Sequence, residues 1–182
     1  MNAKLLARNR PMVRSATFAD AAAIFQLIRS HPEALVPRSI SDILQNIDRF
    51  YVAELDGRVV GTVSWGILPE LGSARHPSVE IKSLAVIAEA RGCGAGRLLV
   101  ERALQRIAEL KPEQVIVLTF LPEFFRRFGF AEVPKETLMH KIYTGCVNCT
   151  RYDSPFTCPE IAMAKPMAPA TATVPGAGNP LD

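Results

Sequence analysis

The segment that most restricts what this chain can fold into runs from Ser83 to Leu99: Ser-Leu-Ala-Val-Ile-Ala-Glu-Ala-Arg-Gly-Cys-Gly-Ala-Gly-Arg-Leu-Leu. An apolar, strand-like run enters a glycine-rich turn, and the turn opens an amphipathic helix. At such a helix start several backbone N–H groups lack an intrahelical acceptor and face whatever anion lies in front of them. Gly92, Gly94 and Gly96 permit backbone angles closed to other residues and place no Cβ in a phosphate's path, so the loop suits a diphosphate. Glycines alone suit a ligand-free turn equally well. The two common nucleotide fingerprints do not fit. One needs Gly-Lys-Ser/Thr where Gly96-Arg97-Leu98 stands; the other needs a third glycine where Leu99 stands and an acidic residue after the strand that ends at Thr119. A kinase and a dehydrogenase are therefore disfavoured.

The flanking sequence builds a mixed α/β pattern around this unit. Met12 to Ala16 reads as a first strand, and Thr17 or Asp20 can cap a helix over 21–29, where Ile24, Leu27 and Ile28 share a face. Ser39 is the N-cap expected for a second helix carrying Ile40, Ile43, Leu44 and Ile47. Phe50 to Leu55, the turn Asp56-Gly57, and Arg58 to Gly66 predict an antiparallel hairpin. Val79 to Val86 is a strand, and Arg97 to Leu110 a helix with Leu98, Leu99, Ala103, Leu104 and Ile107 inward. Val115 to Thr119 has the continuous apolar character of a buried strand. Glu123 to Phe128 is a short helix ended by Gly129, Phe130 to Val133 a strand, and Leu138 to Thr144 the expected last strand. Strand, helix and strand at the centre make one βαβ unit.

A chain of 182 residues has room for one domain with a full core. Residues 1–11 are expected to be a leader, 12–145 the domain, 146–163 a cysteine-containing appendage and 164–182 a disordered tail rich in Ala, Pro, Thr and Gly. No apolar run approaches the roughly 20 residues of a membrane helix. The basic start lacks the apolar centre of a secretory signal, so a cytoplasmic location is expected. The net charge of +3 is scattered, which argues against nucleic acid as a partner.

The loop resembles the pyrophosphate loop of GNAT acetyltransferases, Arg/Gln-x-x-Gly-x-Gly/Ala, at Arg91, Gly94 and Gly96. Phe124-Phe125-Arg126-Arg127-Phe128-Gly129-Phe130 is similar to that family's aromatic-x-x-x-Gly-Phe motif, and the resemblance extends over about residues 12–145. It implies the GNAT (acyl-CoA N-acyltransferase) fold, a mixed, largely antiparallel sheet with flanking helices and a V-shaped opening between the fourth and fifth strands. It also implies acetyl-CoA as cosubstrate, held by Leu84, Ala85, Val86, Arg91, Gly92, Cys93, Gly94, Ala95, Gly96 and Phe125. Within the superfamily, Leu35-Val36-Pro37-Arg38-Ser39, the 80–86 run, Val117-Leu118-Thr119 and Leu138-Met139-His140-Lys141 resemble the short amino-acid acetyltransferases related to the catalytic domain of N-acetylglutamate synthase. Their acceptor is a small amino acid, here expected to be glutamate. Edge strands of this fold often pair between subunits, which suggests a homodimer by analogy.

A glutamate acceptor carries two carboxylates, and Arg is the side chain best matched to a planar carboxylate. Arg38 matches the family's substrate-carboxylate arginine; its bland reading is a solvated surface side chain. Lys82 and Lys141 are further candidates. The attacking amine must shed a proton, and Glu80 matches a common general-base position, although a Glu80–Lys82 salt bridge is the plain alternative. Ser83 or Leu84 would offer a backbone N–H to the thioester oxygen as it gains charge. The family's leaving-group tyrosine is absent because Phe124 and Phe125 have no hydroxyl; Thr119, Tyr143 or a water would serve, or no acid is needed. Cys93, at a helix start, is expected to pack against the cofactor and not to act as a nucleophile.

Cys146-x-x-Cys149, with Cys158 beyond and His140 before, offers three thiolates and an imidazole, the donor set of a structural zinc site. Reduced thiols and a disulfide remain open beside it. Rival readings of the whole chain are an N-acetyltransferase for another small amine or a protein N-terminus, and a non-catalytic acyl-CoA-binding module.

Overall fold

A computed structural model of the chain describes residues 10–68, 77–149 and 151–167, so the expected leader and tail lie largely outside the described residues. β1 (Met12–Ser15) pairs antiparallel with β2 (Phe50–Leu55), which turns at Asp56-Gly57 into β3 (Arg58–Ile67). Both turn residues have positive φ, 51° and 73°, the geometry of a tight hairpin whose twist matches its strands. β3 pairs antiparallel with β4 (Val79–Val86), and β4 pairs parallel with β5 (Gln114–Thr119) through the crossover helix that joins them. With β6 (Ala131–Glu132) and β7 (Ile161–Pro166) the sheet has seven strands in the order β1-β2-β3-β4-β5-β7-β6. The expected mixed, largely antiparallel sheet with a central βαβ unit is thus present.

α1 (Ala21–Arg29) and α2 (Ile40–Gln45) cover part of the sheet through Ile24, Ile28 and Ile43, packed against Phe50 and Val52. Ser39 caps α2 as expected, its Oγ accepting from the Asp42 N–H at 3.1 Å. Asp20 ties the start of the chain together. Its carboxylate accepts two hydrogen bonds from Arg14, at 2.7 and 2.9 Å, and one from the Thr17 N–H at 2.8 Å. The Arg14 guanidinium outweighs the opposing effect of burial and lowers the Asp20 pKa from 3.8 to about 2. Folding therefore favours the ionised carboxylate. This stability is fully present above the unfolded value and is lost as pH falls from 3.8 toward about 2. Asp20→Asn should cost about 1–2 kcal/mol at pH 7 and much less near pH 2, measured by urea unfolding at the two pH values; an equal cost at both would remove the ion pair from the account.

α3 (Ala95–Glu109) buries Ala95, Leu99, Val100, Ala103 and Ile107. It starts two residues earlier than the periodicity predicts, and Leu98 lies 37% exposed while Val100 takes the inward place. α4 (Pro122–Arg126) ends before Gly129, whose φ of 84° reverses the chain into Phe130.

Two expectations fail at the C-terminal end. Leu138 to Thr144 is not a strand: Met139–Thr144 forms α5, and the buried pair Leu138 and Ile142, four residues apart, shows the helical period that the β-prone Ile, Tyr and Thr concealed. The last strand is β7, which runs through the end of the expected appendage and into the expected tail. β7 inserts between β5 and β6 and pairs with all six residues of β5, from Gln114↔Pro166 to Thr119↔Ile161. The sheet therefore continues past residue 145. Among the described residues no helix is long and apolar enough to cross a membrane.

Candidate active site

The site starts from a defect in β4. Thr62 faces Ala85 and Ser64 faces Lys82, so Val63 alone lies opposite both Ser83 and Leu84, and β4 carries one extra residue. Ser83 adopts φ 55°, a strained conformation for a residue with a side chain. Beyond Glu80↔Ile116 the pairing of β4 with β5 stops, while β5 stays bonded to β7 along its length. The two central strands splay, giving the expected V-shaped opening. The bulge also ends the alternation along β4. Glu80 and Lys82 share a face, but Leu84 lies out of phase with them.

On one side of the splay lies a cavity of about 520 Å³ between the loop before α2, β4, and the segment from α5 to β7. Arg151 donates to the Glu33 carbonyl oxygen, and Lys135 donates to those of Pro155 and Cys158, so the walls are tied to each other and to the body. Arg38, Glu80, Lys82 and Lys141 all line this cavity, although they lie far apart in the chain. Arg38 is held on two sides: its Nε lies 3.1 Å from Asp42 Oδ2, and its guanidinium sits 5.6 Å from the centre of the Phe50 ring. Its Nη1 is buried and has no hydrogen-bond partner among the described residues. A desolvated guanidinium N–H without an acceptor is costly, so this nitrogen fits an incoming carboxylate. The solvated-surface alternative for Arg38 is excluded, since only 15% of its side chain is exposed.

Glu80 does not pair with Lys82. Its Oε1 lies 2.7 Å from Lys141 Nζ, with side-chain exposures of 6% and 17%. Burial disfavours the Lys141 ammonium, but the Glu80 carboxylate more than offsets it, and the Lys141 pKa is raised. Lys82 has no ion pair among the described residues; burial, with Arg38 nearby, lowers its pKa. Glu160 also lines the cavity, and burial pushes its carboxyl up.

Cys146, Cys149 and Cys158 form part of the cavity wall. All are free thiols, and burial pushes those of Cys146 and Cys158 up, which keeps them neutral. The expected zinc site is corrected: among the described residues no group of three or more His, Cys, Asp or Glu side chains is placed to hold a metal ion. His140, on α5, keeps its Nε2 buried without a hydrogen-bond partner. The α5 helix turns His140 and Lys141 in different directions, and Cys158 instead lies 3.6 Å from Glu160 Oε2.

A smaller cleft of about 100 Å³ continues from this cavity into the splay, lined by Leu84 on β4, Val117 to Thr119 on β5, and Phe125. Thr119 Oγ1 accepts from the Leu121 N–H at 2.9 Å, which leaves its own proton free to donate. Phe125 is 3% exposed and stacks edge-on against Phe130, so only its rim can meet a ligand. Past the cleft comes the glycine loop. Gly92 and Gly94 take φ of 82° and 93°, values that favour glycine, and a Cβ at either would meet open space. Gly94 is the N-cap of α3, and no described acceptor takes the N–H groups of Gly94, Ala95 or Gly96. Arg91 is exposed beside them. These groups fit a diphosphate. Ala85 and Ala95 have buried side chains, 4% and 1% exposed, and could serve a ligand only through their backbone. Cys93 is half-buried and packs against the core. Tyr143 lies 58% exposed and lines neither cavity.

Sequence reasoning missed Glu160 and the thiol wall as parts of the larger cavity. Their place depends on β7 entering the sheet, and the only local signal was the apolar run Ile161-Ala162-Met163-Ala164 after Pro159.

Comparison with known proteins places this geometry. Residues 46–132 match the acetyltransferase (GNAT) domain model. The chain is 37% identical over 155 residues to an uncharacterized N-acetyltransferase of Chlorobaculum tepidum, covering 84% of this chain and 94% of that protein. It is 34% identical over 149 residues to an amino-acid acetyltransferase of Mycobacterium tuberculosis, covering 79% of this chain and 80% of the relative. A crystal structure of a Mycobacterium tuberculosis protein in complex with CoA and NLQ superimposes with a TM-score of 0.70 at 27% identity, over 86% of this chain and 99% of that one.

Proposed function

The chain belongs to the GNAT acetyltransferase family, and from that membership we propose that it transfers the acetyl group of acetyl-CoA to the α-amine of L-glutamate, giving N-acetyl-L-glutamate and CoA. The observation that carries the acceptor is the buried, unpartnered Nη1 of Arg38 in a cavity that opens onto the splay. Among the described residues three cations and two carboxylates line that cavity, one net positive charge, which complements the one net negative charge of glutamate at neutral pH. Such a product would feed arginine biosynthesis.

The thioester supplies the acetyl group; the chain's residues bind, orient and neutralise. The N–H groups of Gly94, Ala95 and Gly96, with Arg91, hold the diphosphate at the start of α3. Leu84 lines the cleft in the splay, and the Ser83–Leu84 bulge presents backbone N–H to the thioester oxygen as it gains charge. Arg38 and Lys82 hold the acceptor's carboxylates. Glu80, held by Lys141 in the wall of the larger cavity, takes the ammonium proton through water. Thr119, which lines the cleft, can donate to the departing thiolate.

Acetyl-CoA-dependent thiol release across glutamate, aspartate, glutamine and a polyamine tests this reading. Glutamate is expected to give the highest kcat/KM, by at least about tenfold over glutamine, since a charge-assisted hydrogen bond is worth about 1.5–3 kcal/mol. Preference for the polyamine would discard the acceptor and keep the fold.

A further inference from the structure

Glu160 stands where the acceptor cavity and the cleft of the splay meet. Of the charged residues that line the larger cavity, Lys82 and Glu160 alone also line the smaller one among the described residues; Arg38, Glu80 and Lys141 line only the larger. This junction is where the reacting nitrogen has to be. A thioester reached through the splay lies on the cleft side, an amino acid held by Arg38 lies on the cavity side, and attack needs the nitrogen within about 3–3.5 Å of the carbonyl carbon. An acceptor α-amine arrives as an ammonium, which needs a carboxylate once water is excluded.

The two carboxylates of the cavity are not equally available. Glu80 is engaged at 2.7 Å by Lys141. Glu160 makes no ion pair among the described residues, and its contact is the weakly donating thiol of Cys158 at 3.6 Å. A half-buried carboxylate with so poor a partner is suited to a charged donor from outside.

We propose that Glu160 binds the α-ammonium of the acceptor, opposite the Lys82 ammonium at the same junction, and so restricts the site to α-amino acids. The pairing of one carboxylate with one ammonium matches the zwitterionic head common to all α-amino acids, whereas Arg38, which lines only the larger cavity, answers a further carboxylate. Simple amines fill only half of such a junction. The inference rests on the amino-acid acceptor proposed above.

The test compares L-glutamate with glutarate, which keeps both carboxylates and lacks the amine. In the full-length protein, Glu160→Gln should raise the KM for glutamate about 10–100-fold, the size expected for a lost charge-assisted hydrogen bond. The inhibition constant of glutarate, and the KM for acetyl-CoA, should stay within about twofold, because neither involves an ammonium at the junction. Glu160→Asp should recover part of the loss. Equal weakening of glutamate and glutarate, or an unchanged glutamate KM, would overturn the assignment. If the wild-type chain instead turns over aspartate, the glutamate reading falls and Glu160 is judged by the same comparison with succinate. Turnover confined to amines without an α-carboxylate would overturn both.

Discussion

Arg38→Ala is expected to lower kcat/KM for L-glutamate by about 10²–10³-fold, because truncating one partner of a buried charged hydrogen bond costs about 2–5 kcal/mol. The guanidinium is preorganised by Asp42 at its Nε and by the Phe50 ring beneath it, so little ordering remains to be done when a carboxylate binds. The KM for acetyl-CoA should hardly move, since Arg38 lines only the larger cavity and not the cleft. Arg38→Lys should rescue poorly: an ammonium reproduces the charge but neither the planar fork nor the stacking on Phe50. Steady-state kinetics with both substrates varied separates these effects. A loss below about threefold would mean that the unpartnered Nη1 is satisfied by solvent and that the acceptor carboxylate binds elsewhere.

The second large effect concerns the pair beneath the site. Lys141→Met should destabilise the fold by about 3–5 kcal/mol, the usual cost of leaving a buried charge without its partner. Glu80 is 5% exposed on a central strand, and its Oε1 receives the Lys141 ammonium at 2.7 Å. Without Lys141 its carboxylate is left buried without its partner, which costs stability at neutral pH. Part of the loss should return in the double variant Glu80→Leu with Lys141→Met, because removing both charges removes the desolvation penalty as well. Urea unfolding of the two single variants and the double variant gives the coupling energy directly. Additive losses would show that the two side chains do not depend on one another, and the cavity would then be read as holding two separate charges.

Much of the frame was legible because it depends on neighbours in the chain. The Asp56-Gly57 hairpin, the Ser39 cap, the strand Val79–Val86 and the glycine loop into α3 follow from turn chemistry, capping and periodicity within a few residues. The errors fell where a distant partner decides. The run Ile161–Pro166, with three small or unbranched residues at its centre, becomes a strand because β5 and β6 present open edges on both sides of it. Met139–Thr144 becomes a helix because its Leu138 and Ile142 anchors are buried on one side, against intrinsic β preference. The zinc donors do not come together for a related reason: sequence spacing puts His140 near the cysteines, but in the fold the three thiols line the cavity wall and His140 does not.

The amino-acid sequence by itself determined the strand–loop–helix unit whose geometry fits a diphosphate, since glycines at 92 and 94 and the helix start act through local backbone geometry. It also supplied the residue types for the proposed acidic acceptor, Arg38, Lys82 and Lys141, with Glu80 as the base. Only the tertiary structure decided how these groups are shared out. The bulge at Ser83 opens the sheet, Lys141 takes Glu80, Arg38 is left with an unanswered donor, and Glu160 arrives at the junction on the strand that closes the sheet. Charge pairing acts over a few ångströms in space and takes no account of distance along the chain, so it could be read only once the chain had folded.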